Sequence, residues 1–220
     1  YEVYLEPLGT DILFAPPRVL RLGARTDAIV VDDMGSISVP APSARLQYVV
    51  QSELERGDFA ERVEHLEPLD EPSRARYLQL PPLPPRIRTL AQEVTAGSRA
   101  PVAAAVKLTD FLSGTFRYTR VLERQTTLDP IEEFLFVRRS GNCEYFAAAL
   151  AVMLRSVGIP ARVVNGFQRG EWNPYGHYFM VRLSDAHSWV EAHLAGRWRT
   201  LDPSPRGEPE VAAGPSVIVL

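Results

Sequence analysis

A single cysteine stands where a Gly-Asn turn gives way to the most apolar stretch of the chain, and this junction constrains the fold more than any other feature. Ser140-Gly141-Asn142-Cys143-Glu144-Tyr145-Phe146 runs on into AAALAVMLRSVGIPARVV. Asn is a favoured N-cap residue, because its side-chain oxygen accepts one of the N–H groups left free at a helix start. Asn142 therefore predicts Cys143 as the first helical residue. Phe146, Leu150, Met153, Leu154 and Val157 recur at helical spacing and predict a core-facing stripe. Gly158 followed by Pro160 predicts the stop. A thiol at a helix N-terminus lies at the positive end of the macrodipole, among free N–H groups. That setting lowers a thiol pKa and favours an anion formed beside it.

Composition narrows the partners. A formal net charge of -3 over 220 residues argues against nucleic acid, which needs a basic face. One cysteine excludes an intramolecular disulfide framework and a cysteine-rich zinc site. No apolar run reaches membrane-spanning length; the longest, FAAALAVML, belongs to the cysteine helix. The chain opens on YEVYLEPLG without an initiating Met and closes on SVIVL, so it reads as a piece of a longer protein.

Residues 1–60 are expected to form a β-rich subdomain. Tyr1–Leu5 alternates, Asp11–Phe14 follows, and Ala44–Ser52 carries β-formers between polar ends. Residues 61–85 turn charged and then proline-rich, ending in Leu80-Pro81-Pro82-Leu83-Pro84-Pro85, and are expected as an extended linker or wrap with Tyr77, Leu78, Leu80 and Leu83 as its apolar contacts. Helices are predicted from Arg86 to Gly97, from Pro101 to about Gly114, and from an Asp129 cap with Pro130 in the first turn. After Pro160 the chain predicts strands at Ala161–Phe167, Tyr178–Leu183, Ala186–Leu194 and Arg197–Leu201, forming an antiparallel meander beneath the cysteine helix. The fold class is α+β.

A thiol nucleophile needs a base, and the base needs an orienter. A two-residue turn at Ala195-Gly196 would set Asp202 opposite Trp189. His187 then lies two residues along on the same sheet face, at a diagonal of about 7–8 Å. His193 is about 20 Å farther along an extended strand and cannot serve the same cysteine. His177 sits in a predicted loop and His65 in the charged wrap. Asp185 shares the parity of His187 and is the rival to Asp202; its simplest reading is a turn residue at the strand entry.

These segments resemble the transglutaminase-like core, which belongs with the papain-like cysteine enzymes. SGNCExFA, GIPARVV, GEWNP, SDAHSWVE and LDPSP resemble most the bacterial membrane-bound branch, strongly over residues 116–205. The resemblance implies a Cys-His-Asp triad at Cys143, His187 and Asp202, within a catalytic core over residues 86–208. It further implies an extracytoplasmic domain whose residues 209–220 lead towards a membrane segment. The implied reaction is acyl transfer from a glutamine or peptide amide of a protein or peptide substrate through a thioester, with no metal and no organic cofactor. No acidic cluster has calcium-loop spacing, so the calcium dependence of animal relatives is not expected. The Cys143 N–H is one oxyanion donor; Tyr118, Trp172 and Asn173 are candidates for the second, and Trp172 is also the groove candidate. Two alternatives remain from sequence: a silent scaffold that keeps the fold, and a cysteine peptidase.

Overall fold

The computed structural model describes residues 1–40, 42, 44–53, 68–122, 126–168, 170–205 and 217–219. Six strands lead the chain: β1 (Glu2–Leu5), β2 (Ile12–Leu13), β3 (Val19–Ala24), β4 (Val30–Val31), β5 (Ile37–Ser38) and β6 (Leu46–Ser52). Then come α1 (Glu71–Leu78), α2 (Pro85–Thr95), α3 (Pro101–Thr115), β7 (Arg117–Tyr118) and α4 (Pro130–Glu133). A π-helical turn at Phe134–Arg138, β8 (Ser140–Gly141), α5 (Cys143–Ser156) and β9 (Ala161–Phe167) follow. The remaining strands are β10 (Glu171–Asn173), β11 (Tyr178–Arg182), β12 (Ala186–Leu194), β13 (Arg197–Leu201) and β14 (Val217–Val219). Among the described residues these elements fall into two units, one of residues 1–53, 166–186 and 217–219, the other of residues 68–165 and 187–205.

The first unit is β-rich. Its antiparallel sheet has the order β10-β11-β14-β1-β6-β3, beside a small β2-β5-β4 sheet. Alternation buries Val3 and Leu5 on β1 and Tyr48 and Val50 on β6, with Val3 directly opposite Tyr48. The Tyr48 hydroxyl donates to the Phe14 carbonyl at 2.7 Å, which satisfies a polar atom that this core takes in.

The second unit packs helices on the three-stranded sheet β13-β12-β9. Helix α5 is buried on more than one face: Phe146, Ala147, Ala149, Leu150, Met153 and Leu154 are all fully enclosed. Such a helix cannot stay in water and must be surrounded. Ile87 and Ala91 of α2, Leu108 and Leu112 of α3, Phe134, and Val190, Ala192 and Leu194 of β12 belong to the same core. The β12–β13 hairpin has the predicted two-residue turn, pairing Leu194 with Arg197 and Val190 with Leu201. Ala195 and Gly196 both take positive φ, 51° and 81°, the turn whose twist matches its strands.

Three expectations need revising. Residues 71–78 of the expected extended wrap are helical: Asp70 accepts the Ser73 N–H at 2.8 Å as an N-cap, and Pro72 sits in the first turn, where its missing N–H costs nothing. Tyr77 of this helix packs edge-on against Trp198 at 4.7 Å. The expected four-strand meander is divided, because Tyr178–Arg182 pairs with Glu171–Asn173 and with β14 in the first unit's sheet. Residues 166–186 thus group with the N-terminal strands, inside the span expected for the core alone. His65, residues 61–67 and most of the expected 209–220 tail lie outside the described residues; Val217–Val219 pairs with β1 and β11.

Leu150→Ala should cost about 2–5 kcal/mol in denaturant unfolding, because it opens a cavity in an enclosed core. Val121→Ala, at a side chain 70% exposed, should stay within about 0.5 kcal/mol.

Candidate active site

Local sequence places the thiol. Asn142 is extended (φ -89°, ψ 180°) and its Oδ1 accepts the Tyr145 N–H, so α5 begins at Cys143. Gly141 is required just upstream: a Cβ there would lie 2.9 Å from the Tyr145 Cβ and 3.2 Å from the Phe134 ring. The π-helical turn and the left-handed Arg139 (φ 52°) after it bring Phe134 to that position. Strand β8 pairs in parallel with β7, setting Tyr118 opposite Gly141, and the Thr119 N–H donates to the Gly141 carbonyl at 2.9 Å. Tyr118 is thereby held one strand away from the cysteine, its ring stacked on Phe146.

The histidine and aspartate come from the hairpin. His187 Nε2 lies 2.8 Å from Asp202 Oδ2, and Asp202 Oδ1 accepts the Ser204 N–H at 3.0 Å. The other ring nitrogen, Nδ1, is left for Cys143, to which the His187 side chain is hydrogen-bonded. His187 does not share the strand face that packs under α5. Val190, Ala192 and Leu194 fill that face, while Trp189, Glu191 and His193 alternate with them and remain half-buried. His187 reaches the sulfur because it opens β12, beside the helix N-terminus rather than beneath the helix body. Trp189 stacks on the imidazole with centroids 6.2 Å apart.

Cys143 is 8% exposed. Its sulfur is hydrogen-bonded by the His187 side chain, the Ser188 backbone N–H and the Tyr118 hydroxyl. Burial pushes the thiol pKa up, but these donors and the charge of His187 together hold it below the ordinary value. Burial would likewise lower the imidazole, yet Asp202 and Cys143 raise His187 to about 9. Burial works against the charge of Asp202 too, but His187 and the Ser204 N–H keep its carboxyl below the usual range. Burial and the neighbouring Cys143 raise Tyr118, so its hydroxyl stays a donor at neutral pH. The sum is a thiol shifted towards its charged form beside an imidazole shifted towards its own, with the Asp202 carboxylate behind them.

The other sequence candidates have separate occupations. Asn173 Oδ1 accepts the Tyr175 and Gly176 N–H groups at 3.0 Å and its Nδ2 donates to the Tyr178 hydroxyl, so the carboxamide is engaged in building the β10–β11 turn of the first unit. Trp172, 45% exposed, lies on the same hairpin against Phe179 and His177. Asp185 Oδ2 accepts the Arg182 N–H at 2.7 Å, a turn-capping role. His193 packs edge-on against Trp198. Among the described residues no His, Cys, Asp and Glu side chains cluster as a metal site. The Ser188 N–H was invisible to sequence reasoning, since every residue has a backbone amide and only the strand's placement aims this one at the sulfur.

With this geometry established, comparison with known proteins identifies the class. The profile of the transglutaminase-like superfamily matches residues 88–203, more than half of the chain, and the chain belongs to that superfamily. Cysteine-dependent acyl transfer is the chemistry of the class. A protein-glutamine gamma-glutamyltransferase of Pseudomonas aeruginosa is 37% identical over 213 residues, covering 96% of this chain and 30% of that protein. The uncharacterised YebA protein of Bacillus subtilis is 36% identical over 138 residues, 59% of this chain and 19% of its own length. The chain thus spans less than a third of either relative. The crystal structure of the periplasmic domain of TgpA from Pseudomonas aeruginosa, bound to ethylmercury, matches with a TM-score of 0.76 at 34% identity, covering 92% of this chain and 70% of that one.

The ion pair has a pH signature. Iodoacetamide alkylation of Cys143 should titrate with a midpoint below the free-thiol value of about 8.5. In His187→Ala the midpoint should move to about 8.5 or above, because burial then acts with less opposition. The His187 imidazole should lose its proton near pH 9 in an NMR titration. Equal alkylation midpoints in the two proteins would contradict the pairing.

Proposed function

We propose that this chain is the catalytic domain of a cysteine acyltransferase acting on glutamine carboxamides of proteins or peptides. The observation that carries the proposal is the hydrogen-bonded line from the Cys143 sulfur through His187 to Asp202, with the sulfur at a helix N-terminus. The Cys143 thiolate attacks the carboxamide carbon, forming a C–S bond. The oxygen takes up negative charge facing the Cys143 N–H and the Tyr118 hydroxyl, which swings from sulfur to oxygen. His187 gives its proton to the departing nitrogen as the C–N bond breaks, releasing ammonia and leaving a thioester. A primary amine then attacks the thioester, His187 accepts its proton, and the thiolate leaves. Water in place of the amine gives deamidation. Asp202 holds the imidazole in orientation and stabilises its charged form through both half-reactions.

The family membership and the glutamyltransferase relative support this reading. We also propose that the domain is extracytoplasmic and belongs to a membrane-tethered protein. The similarity to a periplasmic domain supports this. Among the described residues no helix is long and apolar enough to cross a membrane. In the proposed organisation, residues 86–165 and 187–208 form the catalytic core, and residues 1–60 together with 166–186 an accessory β-subdomain.

A glutamine peptide incubated with and without a primary amine, followed by mass spectrometry, tests the reaction. Amine incorporation is expected; deamidation alone would mean an amidase and backbone cleavage a peptidase. Asp202→Asn should lower turnover by about a hundredfold or more with circular dichroism unchanged, whereas Asp185→Asn should retain turnover. The reverse pattern would overturn the assignment of the orienter.

A further inference from the structure

The acyl-transfer scheme leaves one carboxamide near the nucleophile without a task. Strand β9 follows α5 after the Gly158 turn. Its first residue, Ala161, is fully buried near the last turn of the helix, where Arg155 binds its carbonyl at 2.7–2.9 Å. Residue 165 lies about 13 Å farther along the extended strand. Alternate residues on this face emerge along it: Ala161 is enclosed, Val163 is 41% exposed and Asn165 is exposed. β9 is also the outer strand of its sheet.

Ser188 ties Asn165 to the site through two of its own groups. Its hydroxyl, on a residue only 4% exposed, donates to Asn165 Oδ1 at 2.7 Å. Its backbone N–H is hydrogen-bonded to the Cys143 sulfur. A hydroxyl donor fixes which end of the carboxamide points inward, so the oxygen is held and the NH2 group is turned away. Asn165 Nδ2 makes no hydrogen bond among the described residues. A buried hydroxyl, on the residue whose N–H serves the Cys143 sulfur, therefore anchors an exposed double donor.

We propose that Asn165 is a substrate-binding residue whose Nδ2 donates to a main-chain carbonyl of the acyl-donor peptide, with Val163 offering an apolar contact two residues back along the strand. An NH2 group only donates, and the acceptors a peptide offers beside its reacting side chain are main-chain carbonyls. The inference rests on the acyl-transfer reading for its substrate, and not on whether amine or water resolves the thioester.

The test uses two alkylating reagents on the same thiol: iodoacetamide, which has no peptide backbone, and a short peptide in which a haloketone replaces the glutamine carboxamide. The ratio of their rates cancels any change in thiolate fraction. The wild-type ratio, referred to that of glutathione, should favour the peptide. Asn165→Ala and Asn165→Asp should each lower it about three- to tenfold, the range expected for one hydrogen bond. Asn165→Asp is the decisive variant, since it keeps an oxygen for Ser188 and loses the donor. A wild-type ratio in that variant, a ratio unchanged in both variants, or no peptide preference in the wild type would overturn the proposal. Failure of the acyl-transfer reading is seen separately, as a preserved peptide preference without ammonia release from a glutamine peptide.

Discussion

Enclosure of α5 is the constraint on which the site depends. A helix apolar on most of its circumference has to be surrounded, and α2, α3 and the β12 face supply that surround. Once the helix body is fixed, its N-terminus is fixed as well, and Cys143 is the residue there. The same packing sets β12 in place, and the residues that open this strand, His187 and Ser188, meet the sulfur from the side. Cys143 is thus positioned by a core built of apolar side chains.

The electrostatics follow from that placement. Burial opposes every charge in the triad, raising the thiol and the carboxyl and lowering the imidazole, and each charge is held because its neighbours outweigh the penalty. No member keeps its state alone. Asp202 is the most exposed of the ion pair, its side chain 41% accessible against 8% for His187. Its second oxygen is therefore anchored by the Ser204 N–H rather than by a further cation. The balance shifts the thiol towards its charged form in a place from which most of the water has been removed.

The placement of Cys143, His187 and Asp202 was legible in the sequence because each rests on a local rule. Asn142 announces a cap, and a two-residue turn at Ala195-Gly196 sets the register from which the His187–Asp202 pair follows. The 71–78 helix was hidden by the proline run that follows it, although Asp70 and Pro72 together form a start signal that outweighs the extended preference of that run. The division of the C-terminal strands between two sheets depends on pairing partners distant in sequence, which alternation cannot reveal. His187 was placed on the correct face relative to Asp202, but its approach to the cysteine needed the helix position. The π-helical turn, the parallel β7–β8 pair that holds Tyr118, and the Ser188 amide carry no sequence signal of their own, because each is a backbone arrangement.

Acylation of Cys143 by a carboxamide is the step on which the proposed function turns. Rapid mixing with a glutamine peptide in the absence of amine, followed by acid quench and intact-protein mass spectrometry, observes that step directly. The account predicts an adduct of the peptide less ammonia on Cys143, removed when a primary amine is added and absent in Cys143→Ala. A thiol that alkylates rapidly yet never acquires this adduct would contradict it.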